Sequence, residues 1–243
     1  MDPVVVKALT KSFGSQQVLK GIDLSVTKGE ILAVLGKSGT GKSVLLRLLV
    51  GLEQPDSGSI LINDQNIAGL PMDRMNEIRK KVGYLFQEAA LYDSLTISGN
   101  VEFPLKRNTK LSASERADRV RELLLSVGLD KDLEKMPSEI SGGMRKRVGL
   151  ARALALDPEI VLFDEPTAGL DPITAAEIGK LIQKLRDERK MTSIVVTHDM
   201  HAAHYFSDRL VVLKDGEILV TGTYNDLHNS KDPFVSQFLS DAA

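Results

Sequence analysis

The sequence predicts an α/β fold: a mixed sheet with flanking helices, joined by an antiparallel β subdomain and interrupted by a helical subdomain. Three observations predict it. Gly36–Ser43 is a glycine loop set between the apolar run Ile31–Leu35 and the helix-forming run Val44–Leu49. Short apolar runs recur at Val82–Phe86, Ile160–Phe163 and Ser193–Thr197, as strands buried on both faces do. Between the first and second of these, about residues 88–156, the pattern turns charged and helical.

Along the chain, Val4–Val6, Leu19–Val26 and Gly58–Ile62 read as strands punctuated by turns, the last followed by Asn63-Asp64. Asp73–Lys81 reads as a helix, and Val82–Phe86 as a strand that delivers Gln87. Leu111–Val127 is a helix with Ser112 and Glu115 at capping-box spacing, an apolar face of Val120, Leu123, Leu124 and Val127, and Gly128 to end it. Gly142–Leu156 is a second helix, stopped by Asp157-Pro158. The α/β pattern resumes with Ile160–Phe163. Asp171-Pro172, an N-cap followed by proline at the first helical position, then opens a helix to about Arg189. Ser193–Thr197 carries His198 at its C-terminal end, and Arg209–Leu213 and Glu217–Val220 flank the hairpin signal Asp215-Gly216. The domain organisation expected is one unit over 1–243, with 1–87 and 157–243 as core plus β subdomain and 88–156 as helical subdomain.

Composition narrows the function. The 243 residues are 42% hydrophobic, enough for a sizeable core. The net charge of −2 gives no general attraction to nucleic acid or an anionic membrane surface. With no cysteine, neither a disulfide frame nor a thiolate metal site can form, which fits a reducing compartment. The start Met1-Asp2-Pro3-Val4 does not resemble a signal peptide. No apolar run approaches the ~20 residues that cross a bilayer, so a membrane role requires another chain to span it.

Gly36-Lys37-Ser38-Gly39-Thr40-Gly41-Lys42-Ser43 fits G-x-x-x-x-G-K-[ST] at every fixed position. Glycines let backbone N–H groups turn toward an anion, and the following helix adds its dipole. Lys42 is placed to reach the β- and γ-phosphates and the Ser43 hydroxyl to ligate Mg²⁺. Asp164-Glu165, after four apolar residues, is the second signal: the first carboxylate can hold Mg²⁺ and the second can polarise an attacking water. His198 is a candidate partner for the γ-phosphate or that water. Its spacing to His201 and His204 does not set all three on one helical face across a strand-to-helix break, which argues against a metal site. Ser141-Gly142-Gly143 opens a helix and makes a second anion cradle. If both cradles cannot reach one nucleotide within a chain, a head-to-tail dimer brings them together. Lys80-Lys81 and Arg145-Lys146-Arg147 lack interleaved aromatics and read as solvated or protein-contact surface rather than a nucleic-acid site.

Taken together, these motifs make the chain resemble the ATP-binding subunit of an ABC transporter, a P-loop NTPase fold, over nearly its whole length. In that likeness Gly36–Ser43 is the Walker A loop and Ile160–Asp164 the Walker B strand. Glu165 is the catalytic glutamate, Gln87 the Q-loop glutamine that senses Mg²⁺, and His198 the switch histidine. Ser141–Met144 is the signature motif, Ala168-Gly169-Leu170-Asp171 the D-loop, and Phe13 the aromatic residue that stacks on adenine. Met144 stands where Gln is usual, Phe13 where Tyr is more common and Gly169 where Ala is typical. The likeness implies an ATPase using ATP and Mg²⁺, with two ATPs sandwiched in a homodimer beside a transmembrane permease. It would be peripheral on the cytoplasmic side of the inner membrane. Leu85–Thr96, Asn100–Leu105, Ile140–Arg147 and Asp171–Thr174 are similar to the Mla/Mce-type lipid transporters, which implies phospholipid or other lipid as cargo and a periplasmic lipid-binding partner. Alternatives left open are a polar-solute importer ATPase and a soluble ABC ATPase of the iron–sulfur assembly type.

Overall fold

Strands that are covered on both faces carry near-continuous apolar runs, and Ile31–Leu35 and Ile160–Asp164 are buried throughout. A computed structural model describes residues 2–240. In chain order it holds β1 (Val4–Phe13), β2 (Gln16–Val26), β3 (Ile31–Leu35), α1 (Lys42–Leu49), β4 (Ser57–Ile62), β5 (Gln65–Asn66), α2 (Met72–Lys80) and β6 (Val82–Leu85). Three helices follow, α3 (Ile97–Asn108), α4 (Ala113–Ser126) and α5 (Gly142–Ala153). Then come β7 (Ile160–Asp164), α6 (Pro172–Arg189), β8 (Thr192–Thr197), α7 (Met200–Phe206), β9 (Arg209–Lys214), β10 (Glu217–Gly222), α8 (Tyr224–His228) and α9 (Pro233–Ser240).

The strands form two sheets. One is antiparallel, ordered β2-β1-β4-β5; the other is six-stranded, ordered β10-β9-β3-β8-β7-β6. Within the second, β3, β6, β7, β8 and β9 run parallel and β10 returns antiparallel along β9. Side chains alternate across it, as the pleat requires. Leu32, Val34, Leu162, Val196 and Val211 face a core shared with the antiparallel sheet and α1. Ile31, Val161, Phe163 and Val195 face a second core built with α3 to α6. Ala33, Leu35 and Val212 meet α7, Leu227 and Val235. Among the described residues no helix is long and apolar enough to cross a membrane.

The cap signals are realised. Ser112 and Glu115 form a full capping box at α4, Gly128 takes a left-handed φ of 74° just past its end, and Asp171 caps α6 with Pro172 at N1. Other boundaries differ. β1 runs on to Phe13 through a register shift between Val6 and Leu9, where Ala8 is left-handed at φ 46° and Asp23 accepts its N–H. α5 stops at Ala153, three residues before Leu156. α3 carries no legible signature because Pro104 lies inside it; Thr96 caps it by accepting the Gly99 N–H at 3.1 Å. Asn100 is fully buried and secures the entry, with its amide donating to the carbonyls of Tyr92, Leu95 and Thr96.

Candidate active site

Parallel topology puts the ends of β3, β7 and β8 side by side, and ligand sites of open α/β sheets lie at that carboxyl edge. The loop after β3 bends tightly. Gly39 and Gly41 have φ of 82° and 102°, where a side chain is strained. Gly36 has no such φ but no room either, since a Cβ there would lie 2.5 Å from the Leu213 carbonyl oxygen. The loop therefore closes on β9, and α1 starts at Lys42. Lys42 is 5% exposed, and its ammonium donates to the Gly36 and Lys37 carbonyls at 2.7 and 3.0 Å. Burial lowers its pKa, opposed by the charges of Glu165 and Asp164. Lys37, Ser38, Gly39 and Thr40 line one wall of a cavity of about 470 Å³, with Gln16–Val18 of β2 opposite. Phe13 pairs with Gln16 at the hairpin and is 43% exposed, with the Lys11 ammonium 5.0 Å from its ring centre.

β7 delivers the two carboxylates to this loop. Ser43 Oγ donates to Asp164 Oδ1 at 2.8 Å, while Tyr84 Oη on β6 donates to Asp164 Oδ2 at 3.2 Å. Burial, reinforced by the Asp164 charge, holds the Tyr84 phenol well above its ordinary pKa, so it remains a donor. Two hydroxyls thus fix one carboxylate from both sides. The oxygen set of Ser43 and Asp164 suits a hard, oxygen-loving cation such as Mg²⁺. Glu165 turns left-handed, φ 47°, and its N–H reaches back to the Val196 carbonyl at 2.9 Å. That turn aims the side chain between two cationic or titratable groups: Oε1 is 3.8 Å from Lys42 Nζ, and Oε2 is 3.0 Å from His198 Nδ1. Glu165 is 8% exposed, whereas the His198 side chain is more than half open to solvent.

The remaining predicted residues sit apart. Ser141 Oγ accepts the Met144 N–H at 3.2 Å and caps α5, and a Cβ on Gly143 would meet Thr174 Cγ2 at 2.6 Å. Gly142 lies against Leu170. This turn packs on the start of α6, and no hydrogen bond among the described residues joins it to Gly36–Ser43. Asp171 spends both carboxylate oxygens on Ile173 and Thr174 at the head of α6. Gln87 has an exposed side chain and is tied through its backbone carbonyl. His204 stacks on Tyr224, ring centres 3.6 Å apart, and the His201 side chain lies outside the described residues.

Two residues at the site escape a reading of local pattern. Lys146 is not a surface cation: it is 5% exposed and donates to the carbonyls of Gln87 and of Glu165, the latter at 2.9 Å. Its neighbours Arg145 and Arg147 turn away, to the Ile140 carbonyl and to Val127 and Glu177. The helical period held the clue. Lys146 is four after Gly142 and three before Gly149 on one face of α5, and glycines there mark close approach. A Cβ on Gly149 would touch Leu85 and Ala89. Tyr84 is the second; within a β run its hydroxyl passes for one more buried aromatic.

Known proteins resemble the chain in sequence and in fold. The family model for the ABC transporter matches residues 19–168. The chain is 44% identical over 237 residues to a protein of Mycobacterium leprae named probable ribonucleotide transport ATP-binding protein mkl, covering 98% of this chain and 68% of that one. It is 40% identical to the Haemophilus influenzae intermembrane phospholipid transport system ATP-binding protein MlaF, over 97% of this chain and 89% of that one. The Rhodococcus jostii methionine import ATP-binding protein MetN 2 is 38% identical over 99% of this chain and 72% of its own length. A solved dimeric structure of the cassette MJ0796, in a post-hydrolysis state bound to ADP and Pi, superposes with TM-score 0.84 at 36% identity, covering 90% of this chain and 98% of that one. The chain belongs to the ABC transporter family and is an ABC-type ATPase cassette.

Proposed function

We propose that this chain is the ATP-hydrolysing subunit that energises a bacterial membrane transporter for phospholipid or another lipid. The observation that carries hydrolysis is the placement of Glu165 between Lys42 and His198, beside the Ser43–Asp164 pair. Lipid as cargo is supported by the 40% identity to MlaF, which extends over 89% of that protein.

In this reading Lys37 to Thr40 and the backbone of the glycine loop cradle phosphates, and Lys42 exchanges its carbonyl partners for the β- and γ-phosphate oxygens. Ser43 and Asp164 would hold Mg²⁺, which supplies charge neutralisation on the phosphates, and Gln87 would complete that set. Glu165 orients an attacking water and takes its proton; His198 at 3.0 Å fixes the carboxylate that does so. Phe13 stacks on the adenine. Ser141, Gly142, Gly143 and Asp171 act in trans on the nucleotide of a second copy, which is why they lie away from the phosphate loop of their own chain. Residues 1–87 and 157–243 work as the core, and 88–156 as a helical subdomain whose groove receives the permease on the cytoplasmic side of the inner membrane. A periplasmic MCE-type protein completes the assembly.

The relatives named for ribonucleotide transport and methionine import favour a second reading, a polar-solute transporter on the same ATPase. Affinity capture of the full chain from detergent-solubilised native membranes, with lipid and protein mass spectrometry, separates them. A permease with a lipid-binding partner and phospholipid is the result expected. A permease with a polar-solute receptor transfers the proposal to the second reading, and soluble partners alone overturn both.

A further inference from the structure

Asp164 is held by two hydroxyls of different origin. Ser43 belongs to the phosphate loop, but Tyr84 belongs to β6 at the sheet edge, and its ring forms part of a separate surface feature. That feature is a groove of about 400 Å³ whose wall includes Tyr84, Phe86, Tyr92, Phe103 and Arg152. Its aromatic residues are paired. Tyr84 and Phe86 lie with ring centres 4.2 Å apart, and Tyr92 and Phe103 with centres 4.7 Å apart. Phe86 and Tyr92 are 38% and 46% exposed, large apolar side chains left on a surface. A single side chain therefore lines the groove with its ring and touches the Asp164 carboxylate with its hydroxyl.

We propose that Tyr84 is a positioning residue that links the groove to the nucleotide site: its hydroxyl sets the Asp164 carboxylate for Mg²⁺, and the Phe86 stack sets the hydroxyl. The link rests on the ATPase reading above. A phenol ring is rigid between Cβ and oxygen, so a tilt forced at the Phe86 face moves Oη by a comparable distance. The Tyr84–Asp164 bond, at 3.2 Å, lies at the long end of the hydrogen-bond range, and a small displacement breaks it. Once released, Asp164 Oδ2 is free to rotate about χ2, and Oδ1 no longer faces Ser43 in one fixed orientation. The groove and the Asp164 carboxylate are then linked through one side chain, without a chain of intermediates between them.

The test uses the full chain and equilibrium binding of a fluorescent ATP analogue at varied Mg²⁺. Tyr84→Phe keeps the ring and its stack and removes only the hydroxyl. Its half-saturating Mg²⁺ should rise about tenfold or more, the loss expected for one hydrogen bond to a charged acceptor, with analogue binding in excess chelator unchanged. Phe86→Ala lies outside the nucleotide site. It should raise half-saturating Mg²⁺ about threefold in the wild type and leave it unchanged in Tyr84→Phe, since coupled contacts are non-additive in a double-mutant cycle. Wild-type Mg²⁺ dependence in Tyr84→Phe overturns the proposal. Equal shifts from Phe86→Ala in both backgrounds overturn the link to the groove. Failure of the wild-type chain to bind the analogue with Mg²⁺ would instead overturn the ATPase reading beneath it.

Discussion

Replacing Lys146 with Met keeps a stem of similar length and removes the ammonium from the middle of the site. Two carbonyls lose their donor, those of Gln87 and Glu165. A hydrogen bond to a charged group contributes about 1.5–3 kcal/mol, so the gross loss is about 3–6 kcal/mol. Burial acts in the other direction. Desolvation holds the Lys146 pKa below the ordinary lysine value, against the pull of Glu88, Glu165 and Asp164. Relief of that desolvation recovers several kcal/mol when the charge is deleted. The two terms nearly cancel, and global stability should change by no more than about 1–2 kcal/mol. Nothing offsets the local effect. Glu165 occupies a left-handed conformation that costs on the order of 1 kcal/mol or more, held by Val196 at its N–H and by Lys146 at its carbonyl. Released at one end, the turn relaxes and the carboxylate leaves its station beside Lys42 and His198. A shift near 1 Å lowers turnover on the order of 10²-fold. Phosphate release at saturating Mg–ATP, run beside urea unfolding, reads both quantities. Wild-type turnover in a stably folded Lys146→Met chain would refute the argument, and so would a stability loss as large as the gross hydrogen-bond figure.

Two further outcomes follow from the site and the helix caps. Glu165→Gln should bind ATP normally and hydrolyse it more slowly by a factor of about 10²–10⁴, the usual contribution of a positioned general base; single-turnover phosphate release checks it. The Ser112 side chain and backbone N–H hold the Glu115 carboxylate below its ordinary pKa. A depressed carboxylate contributes stability above its unfolded value, near 4.5, that is lost as pH falls through its lower folded value. The thermal midpoint of Glu115→Gln should therefore fall less than that of the wild type between neutral pH and pH about 3.

How far the sequence reveals such a site depends on whether the signal is local. The glycine loop, the Asp164-Glu165 strand end and the caps at Ser112, Ser141 and Asp171 each depend on a few adjacent residues, and each is visible in the chain as written. So is the buried character of β3, β7 and β8, because strands covered on both faces carry near-continuous apolar runs, with polar residues only at the ends of β7 and β8. α3 hides because Pro104 contradicts the pattern, and Asn100 stabilises it through contacts to Tyr92 and Leu95 that no periodicity encodes. α7 and α8 are too short, at 7 and 5 residues, for a hydrophobic period to register. Lys146 hides for a different reason. Within Arg145-Lys146-Arg147 its charge looks like that of its neighbours; its helical spacing to Gly142 and Gly149 marks its face, but its partners Gln87 and Glu165 lie across the fold.

The distance between the two anion cradles bears on assembly. Ser141–Gly143 sits against Leu170 and Thr174 at the head of α6, while Gly36–Ser43 closes on β9 and β7. If one nucleotide needs both, each chain supplies half of two sites and neither chain completes one alone. A mixing experiment decides this. Lys42→Ala removes the phosphate-loop ammonium, and Ser141→Arg blocks the second cradle. If the sites are shared in trans, a homodimer of either variant has a defect in both sites. A mixed dimer gathers both defects into one site and leaves the other wholly native. Two inactive preparations, combined in equal amounts, should then recover hydrolysis up to about a quarter of the wild-type rate, since half the dimers are mixed and half their sites intact under two-fold pairing. If each site is complete within its own chain, no arrangement of the two variants yields an intact one, and the mixture stays as inactive as its components.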